Sequence, residues 1–226
     1  MNKRNFYDLL SKEYDTKYSN RLNQVMRKEE VKLLKNLPLG LTLDIGCGTG
    51  YHSKILKEIG HSVVSADISL EMVKKAKSMQ NGDFFIVADV EKLPFKEDAF
   101  DNVVSIFGAL NHANMNNFKL NLNGCLRRDG TLMFTVGNIY NIHWILKSIK
   151  QGKNPMVAIK KRKGKISINL DGKKISVRIR YYSIKELQNM FKDYSLKIGS
   201  LYPKLTFLPI INGFGRYIVL IGKKSF

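Results

Sequence analysis

From Leu43 to Gly50 the chain reads Leu-Asp-Ile-Gly-Cys-Gly-Thr-Gly, an acid and three alternating glycines at the end of an apolar run. This is how a parallel strand opens into a loop that holds a nucleoside cofactor. A backbone turning sharply off a strand needs positive φ, and a ligand approaches it closely only where no Cβ intervenes. Gly46, Gly48 and Gly50 meet both needs. The dinucleotide fingerprint places its third glycine three residues after the second. Here that position is Tyr51, and the third glycine comes two residues on instead.

Two further acids fall where apolar runs end. Asp67 closes Ser62 to Ala66, 21 residues after Gly46. A carboxylate there can accept hydrogen bonds from both hydroxyls of a ribose, a role shared with nicotinamide-binding folds. Asp89 closes Phe84 to Ala88. Acids at strand ends also cap helices for purely structural reasons, so spacing alone leaves both readings open. The pattern Asp44-x-Gly46-x-Gly48-x-Gly50 resembles motif I of the class I S-adenosylmethionine-dependent methyltransferases. The segment Ala88-Asp89-Val90-Glu91-Lys92-Leu93-Pro94-Phe95 resembles that family's adenine-binding motif, whose carboxylate accepts from the adenine amine. The resemblance covers Leu43 to Val136 and is nearest to the small-molecule branch of ubiquinone-type and sugar N-methyltransferases. It implies S-adenosylmethionine as cofactor and S-adenosylhomocysteine as product. The implied binding residues are Tyr14, Asp44, Gly46, Cys47, Gly48, Thr49, Gly50, Asp67, Ile68, Asp89, Val90 and Phe107.

Methyl transfer from a sulfonium is an in-line displacement, so the protein mainly aligns an acceptor lone pair behind the methyl and excludes water. An electron-rich wall near the sulfur helps, and an acceptor that arrives protonated needs a base. Phe107 to His112 follows the fourth strand, whose carboxyl end faces the ligand in open α/β sheets. His112 resembles a histidine that lies near the acceptor in some relatives, and its ordinary pKa suits proton removal near neutrality. It also reads as a polar residue at a loop-to-helix junction. Tyr14-Asp15 resembles a Tyr-Asp pair ahead of motif I, whose tyrosine covers the methionine part of the cofactor; it reads equally as a core aromatic on a helix. Trp144, Tyr181 and Tyr182 either line an acceptor pocket or pack a cap. Ser105-Ile106-Phe107-Gly108 stands where an Asn-Pro-Pro-Tyr motif would mark exocyclic or amide nitrogen chemistry, and no cysteine there points to pyrimidine C5 chemistry.

These residues need a sheet to hold them. Strand runs are read at Leu41–Ile45, Val63–Ala66, Phe84–Ala88, Val103–Phe107 and Leu132–Val136, alternating with amphipathic stretches, which predicts a parallel sheet with helices on both faces. Helices are expected from Tyr51 to Gly60, from Ser69 to about Gln80 and from Asn114 to Leu126, the last followed by a turn at Asp129-Gly130. Asn5 to Tyr18 and Leu22 to Leu37 read as two helices lidding the cofactor, the second with a stripe of Val25, Val31, Leu33, Leu34 and Leu37. After the fifth strand, Ile142–Ile149 reads as a short helix. Lys165–Leu170 and Lys174–Arg180 read as a hairpin turned at Asp171-Gly172. Ser183 with Glu186 forms a capping box for a helix through about Asp193. Leu196–Gly199 and Tyr217–Gly222 are the last strands, and Leu201–Phe214 reads as an irregular apolar cover rather than a strand. The resemblance implies a Rossmann-like, seven-stranded, mostly parallel sheet of order 3-2-1-4-5-7-6. Four parts are expected: a helical lid (1–38), the cofactor core (39–137), a basic hairpin cap (138–182) and a completing helix and two strands (183–226).

The net charge of +19 is uneven. Residues 39–136 carry 10 basic and 11 acidic side chains, whereas residues 137–226 carry 19 and 3, most densely from Lys147 to Arg180. Such a field gathers an anionic partner, whether phosphorylated metabolite, nucleic acid or acidic headgroup; it is equally a solvated face in a Lys-rich composition. Beside it, the Leu201–Phe214 cover either admits a hydrophobic acceptor, rests on an anionic membrane surface or closes the core. Cys47 and Cys125 give no disulfide framework or zinc spacing, the first 15 residues lack the apolar core of a signal peptide, and no run is long enough to span a bilayer. The expectation is a soluble cytoplasmic methyltransferase acting at O or N of a small or medium, anionic or lipid-like acceptor. An RNA or tRNA methyltransferase that clamps phosphates with its basic cap, and a non-catalytic S-adenosylmethionine-binding protein, are the rivals.

Overall fold

A computed structural model describes residues 1–79, 84–170, 172–201, 205–206 and 213–225. Three helices come first: α1 (Lys3–Leu10), α2 (Tyr14–Lys17) and α3 (Arg21–Leu34). Then follow β1 (Leu41–Ile45), α4 (Tyr51–Ile59), β2 (Ser62–Asp67), α5 (Leu70–Met79), β3 (Phe84–Val87), β4 (Phe100–Ser105), α6 (Met115–Cys125) and β5 (Leu126–Gly137). The remainder comprises α7 (Ile142–Lys150), α8 (Pro155–Lys161), the hairpin β6 (Lys163–Leu170) and β7 (Lys173–Arg180), α9 (Ile184–Met190), β8 (Tyr194–Leu201), β9 (Leu205–Thr206) and β10 (Tyr217–Lys224).

The main sheet runs β3-β2-β1-β4-β5-β10-β8-β9. Strands β1 to β5 are parallel, and β10 is antiparallel to both neighbours. This is the expected seven-stranded order with one addition. Leu205–Thr206 pairs with Ser200–Leu201 as a short edge strand, within a stretch read as irregular. The rest of that cover, 202–204 and 207–212, lies outside the described residues, as do Gln80 and Asp171.

Helices close both faces of the sheet, so its central strands are apolar on both sides. On one side Phe118 and Leu122 of α6 and Leu187 of α9 meet Leu43, Val103, Phe134 and Leu220. On the other, Met26 and Leu34 of α3 and Leu56 of α4 meet Val63, Val104, Met133 and Val219. The α3 stripe is therefore carried by Met26, Leu33 and Leu34, with Val25 and Val31 only half-buried. A third core joins Phe6 and Leu10 of α1 to Ile168 and Val177 of the hairpin.

Several expected boundaries shift for local reasons. The helix expected over Asn5–Tyr18 breaks at Ser11, whose hydroxyl donates back to the Asp8 carbonyl (2.8 Å) while Lys75 Nζ donates to its carbonyl (2.5 Å). The fourth strand ends at Ser105, because Phe107 turns to φ 66° and its N–H donates to Thr135 Oγ1 (2.8 Å). The fifth strand begins at Leu126, with Asp129-Gly130 absorbed as a bulge where Phe100 pairs with Leu126 and Asn102 with Thr131. Glu186 follows Ser183, whose hydroxyl accepts its N–H (3.3 Å). Its carboxylate does not reach back to complete the capping box; it bridges Arg162 and Arg180. Helix α8 carried no periodic pattern long enough to be read. Among the described residues no helix is long and apolar enough to cross a membrane.

Candidate active site

At the end of β1 the backbone enters positive φ at Gly46 (68°), Gly48 (55°) and Gly50 (84°). The Gly46 and Cys47 amides donate to the Ala66 carbonyl (2.7 and 3.1 Å), tying the loop to β2. A Cβ on Gly46 would stand 2.2 Å from the Ala109 Cβ, and one on Gly50 2.9 Å from the Ala76 Cβ. At Gly48 it would meet only the Tyr14 ring, at 3.8 Å. Gly46 and Gly50 thus allow close packing of the loop on its neighbours, whereas Gly48 bares its backbone to an open space.

That space is a cavity of about 670 Å³ at the carboxyl ends of the parallel strands. Of the residues singled out in the sequence, Tyr14, Gly46, Gly48, Asp67, Ile68, Asp89, Val90, Phe107 and His112 line it. Asp44, Cys47, Thr49 and Gly50 do not; they build the wall behind it. Buried Asp44 accepts from Ser53 Oγ (2.5 Å), which in turn accepts from Ser65 Oγ (2.8 Å). Thr49 Oγ1 donates to Asp15 (2.8 Å), fastening α2 to the glycine loop. Burial, and then the nearby Asp67 and Asp44, raise the Cys47 thiol well above its ordinary pKa, so it is no nucleophile.

Asp67 is buried at the end of β2, its two oxygens accepting from the Gly48 N–H (3.0 Å) and the Ser69 N–H (2.9 Å). Burial outweighs these bonds and pushes its pKa up to about 6. Asp89, just past β3, accepts from Lys3 Nζ (3.2 Å) and the Glu91 N–H (3.1 Å). Lys3 also pairs with Glu91 (2.7 Å), and Arg4 donates to the Ile68 carbonyl (3.1 Å). Asp8 accepts from Ser69 Oγ (2.6 Å), so one face of α1 is stitched along the cavity rim.

A second cavity of about 1830 Å³ adjoins the first. The two share Tyr7, Tyr14, Phe107 and His112. Aromatic rings line the junction: Tyr14 lies 4.8 Å from Tyr18, Tyr18 5.3 Å from Phe107 and Phe107 6.0 Å from Tyr217, centroid to centroid. His112 Nδ1 faces the Arg178 carbonyl (3.2 Å), an acceptor, so Nδ1 carries the proton and Nε2 accepts from the Tyr7 hydroxyl (2.7 Å). Burial first, and the Lys3 charge after it, lower the His112 pKa to about 4 against the raising effect of the Arg178 contact. The ring is neutral at pH 7. Beside it, Asn111 donates to the Arg180 carbonyl (2.5 Å) and accepts from the Gly137 N–H (3.0 Å), pinning the hairpin to the end of β5.

A methyltransferase domain family model matches residues 43–134. Along 97% of its length the chain is 39% identical to an uncharacterized protein of Methanocaldococcus jannaschii, of which it covers 89%. The chain belongs to the class I S-adenosylmethionine-dependent methyltransferases. A malonyl-(acyl-carrier protein) O-methyltransferase of Enterobacter lignolyticus is 30% identical over 116 residues, which is 50% of this chain and 46% of that enzyme. The fold is shared with the DhpI–SAH complex at a TM-score of 0.71 and 16% identity, over 99% of this chain and 95% of the other.

The methyltransferase cavity fits its cofactor. A buried carboxylate of raised pKa has acceptor capacity left beyond two amide bonds, which a pair of hydroxyl donors would use. Gly48 leaves a cradle that any Cβ would fill, and the ring wall at the junction suits a cationic sulfonium. Lys3, Tyr7, Asn111, Arg216 and Tyr217 line the cavities without having been singled out in the sequence. The partners of Lys3, Tyr7 and Asn111 lie far along the chain, 105 residues away for Tyr7 and His112.

Proposed function

We propose that this methyltransferase methylates an oxygen or nitrogen of a small anionic acceptor held in the second cavity. The observation that carries the reading is the meeting of two cavities at Tyr7, Tyr14, Phe107 and His112. In this reading Asp67 holds the cofactor ribose, Asp89 and Val90 hold the adenine, Gly46 and Gly48 offer bare backbone, and Tyr14 covers the methionine portion. S-adenosylmethionine supplies the methyl group and leaves as S-adenosylhomocysteine. Helices α1 and α2 then cover the cofactor, and the hairpin covers the acceptor.

Charge supports the anionic acceptor. Lys147, Lys163, Lys165 and Arg216 line the second cavity, no Asp or Glu does, and none of the four makes an ion pair among the described residues. Histidine basicity agrees. A ring with a pKa of about 4 is a poor base for an alcohol or ammonium, whereas an acceptor already ionised at its reacting oxygen needs no proton removed. His112, with both ring nitrogens engaged, would then act as a positioning residue that holds the Tyr7 hydroxyl and the hairpin at the junction. Partial relatives named as malonyl-(acyl-carrier protein) O-methyltransferases agree with O-methylation.

The test is transfer of labelled methyl from S-adenosylmethionine into cell extract fractionated into small molecules, RNA and protein. Label in small molecules retained on an anion exchanger, and displaced by added phosphate or carboxylate, is the expected result. Label confined to RNA, with a steep salt dependence, would replace this reading with the basic-cap RNA methyltransferase.

A further inference from the structure

Helices α7 and α8 carry an exposed face outside both cavities. At 3.6 residues per turn, Ile142, Leu146 and Ile149 fall within about 60° of one another on α7. They form one stripe. The next sector on one side turns inward at Ile145 and buried Ser148; the sector on the other carries Lys147 and Lys150. Phe214 stands beside the stripe, the Ile142 N–H donating to its carbonyl (3.2 Å), and Met156 and Val157 are exposed on α8, which packs against α7. These six side chains are between 38 and 57% exposed. From Gly137 to Leu170 the chain has eight Lys or Arg and no Asp or Glu.

We propose that the α7–α8 face docks this protein on an anionic lipid bilayer. Two features choose this occupant. The cationic flank beside an apolar stripe lets lysines reach headgroup phosphates while Leu146, Ile149 and their neighbours enter the acyl boundary, and the two attractions add. Of the six exposed side chains only Phe214 is aromatic; the others are branched aliphatic or thioether chains, which enter an acyl boundary but offer no row of rings for stacking bases. Trp144 and Lys147 on the same helix line the acceptor cavity, so docking sets that cavity beside the bilayer.

Flotation of the full chain with vesicles tests this, comparing phosphatidylcholine alone with phosphatidylcholine containing about one-third phosphatidylglycerol. The protein floats with the anionic vesicles and not with the neutral ones. The double variants Leu146→Glu/Ile149→Glu and Lys150→Glu/Lys153→Glu each lower partitioning about tenfold or more. Both keep S-adenosylhomocysteine affinity within twofold, because their side chains are exposed and outside the cavities. That binding measurement reports on the cofactor site alone, so loss of docking and failure of the functional reading are told apart. Wild-type protein that fails to float overturns the proposal. So does flotation insensitive to Leu146→Glu/Ile149→Glu, which would be charge adherence only, and so does a self-associated or acidic-protein-bound form that this double variant abolishes.

Discussion

Replacing Asp67 by Asn tests the cofactor grip most directly, since it removes one charge with little change of shape. Both Asp67 oxygens accept backbone amides, and the ionised group has capacity for two hydroxyl donors as well. An asparagine keeps a single acceptor oxygen, so it satisfies one amide and opposes the other with its own NH2. Hydrogen bonds to a charged group contribute about 1.5–3 kcal/mol each. Losing the better part of two weakens S-adenosylhomocysteine binding by about 2–4 kcal/mol, or roughly 30- to 1,000-fold. Isothermal titration calorimetry at pH 7.5 reads this, with circular dichroism melting to confirm that the variant is folded. Acidity gives a second handle. The folded Asp67 pKa of about 6 lies above its ordinary value, so the free protein holds an extra proton between roughly pH 4 and 6. The Asp67 contribution therefore makes the free protein less stable as pH rises through that window. Hydroxyl donors need the carboxylate, so cofactor affinity is level above pH 7 and falls about tenfold per unit below pH 6. The Asp67 contributions to affinity and to stability thus move in opposite directions on acidification, and comparing wild type with Asp67→Asn isolates them. An Asn variant that binds within twofold of wild type, or a wild-type affinity flat from pH 7.5 to 5, would refute the assignment.

The loop glycines are predicted to differ. Gly50→Ala costs about 2–4 kcal/mol in urea unfolding, because its φ and the 2.9 Å approach to Ala76 are both violated. Gly48→Ala costs only about 1–2 kcal/mol, for its φ alone, yet abolishes measurable S-adenosylhomocysteine binding by calorimetry. His112→Gln and Tyr7→Phe lower methyl transfer into extract acceptors about 10- to 100-fold and leave S-adenosylhomocysteine affinity within about threefold. A wild-type rate inflection near pH 6.5 that His112→Gln removes would show the ring to be an ordinary base, contrary to its lowered pKa. Thr49→Val, which loses the bond to Asp15, costs about 0.5–1.5 kcal/mol in urea unfolding and speeds proteolysis of the first 20 residues; unchanged cleavage would make that bond incidental.

The first cavity was legible because its determinants are local. Asp67 and Asp89 follow apolar runs that become β2 and β3, and a parallel sheet brings the carboxyl ends of such strands to one crevice. Gly46, Gly48 and Gly50 declare positive φ by residue type. Phe107 does not: its φ is 66°, and the bond that holds its N–H comes from Thr135 on a neighbouring strand. Reading Val103–Phe107 as strand was the natural consequence. The strand-five boundary moved for a related reason, since an Asp-Gly pair marks a chain reversal or a bulge alike until a neighbouring strand supplies the register.

The second cavity was hidden by distance and by backbone. Tyr7 on α1 meets His112 across 105 residues, and no periodicity of a short amphipathic helix distinguishes a tyrosine aimed at a histidine from one packed in a core. Phe6, beside it, is the packed one. The hairpin was visible as two alternating strands, but its seat over the cavity depends on Asn111 and His112 meeting the carbonyls of Arg180 and Arg178. A main-chain carbonyl is offered by every residue type, so the contacts that fix the second cavity leave no mark in the hairpin's own sequence. What the hairpin does write in its sequence is charge. Lys163 and Lys165 line the second cavity from β6, and on the proposed function substituting Glu for both would tighten nothing in the fold yet invert the field that an anionic acceptor must enter. Transfer to an anionic acceptor should then fall steeply, and transfer to a neutral one should not.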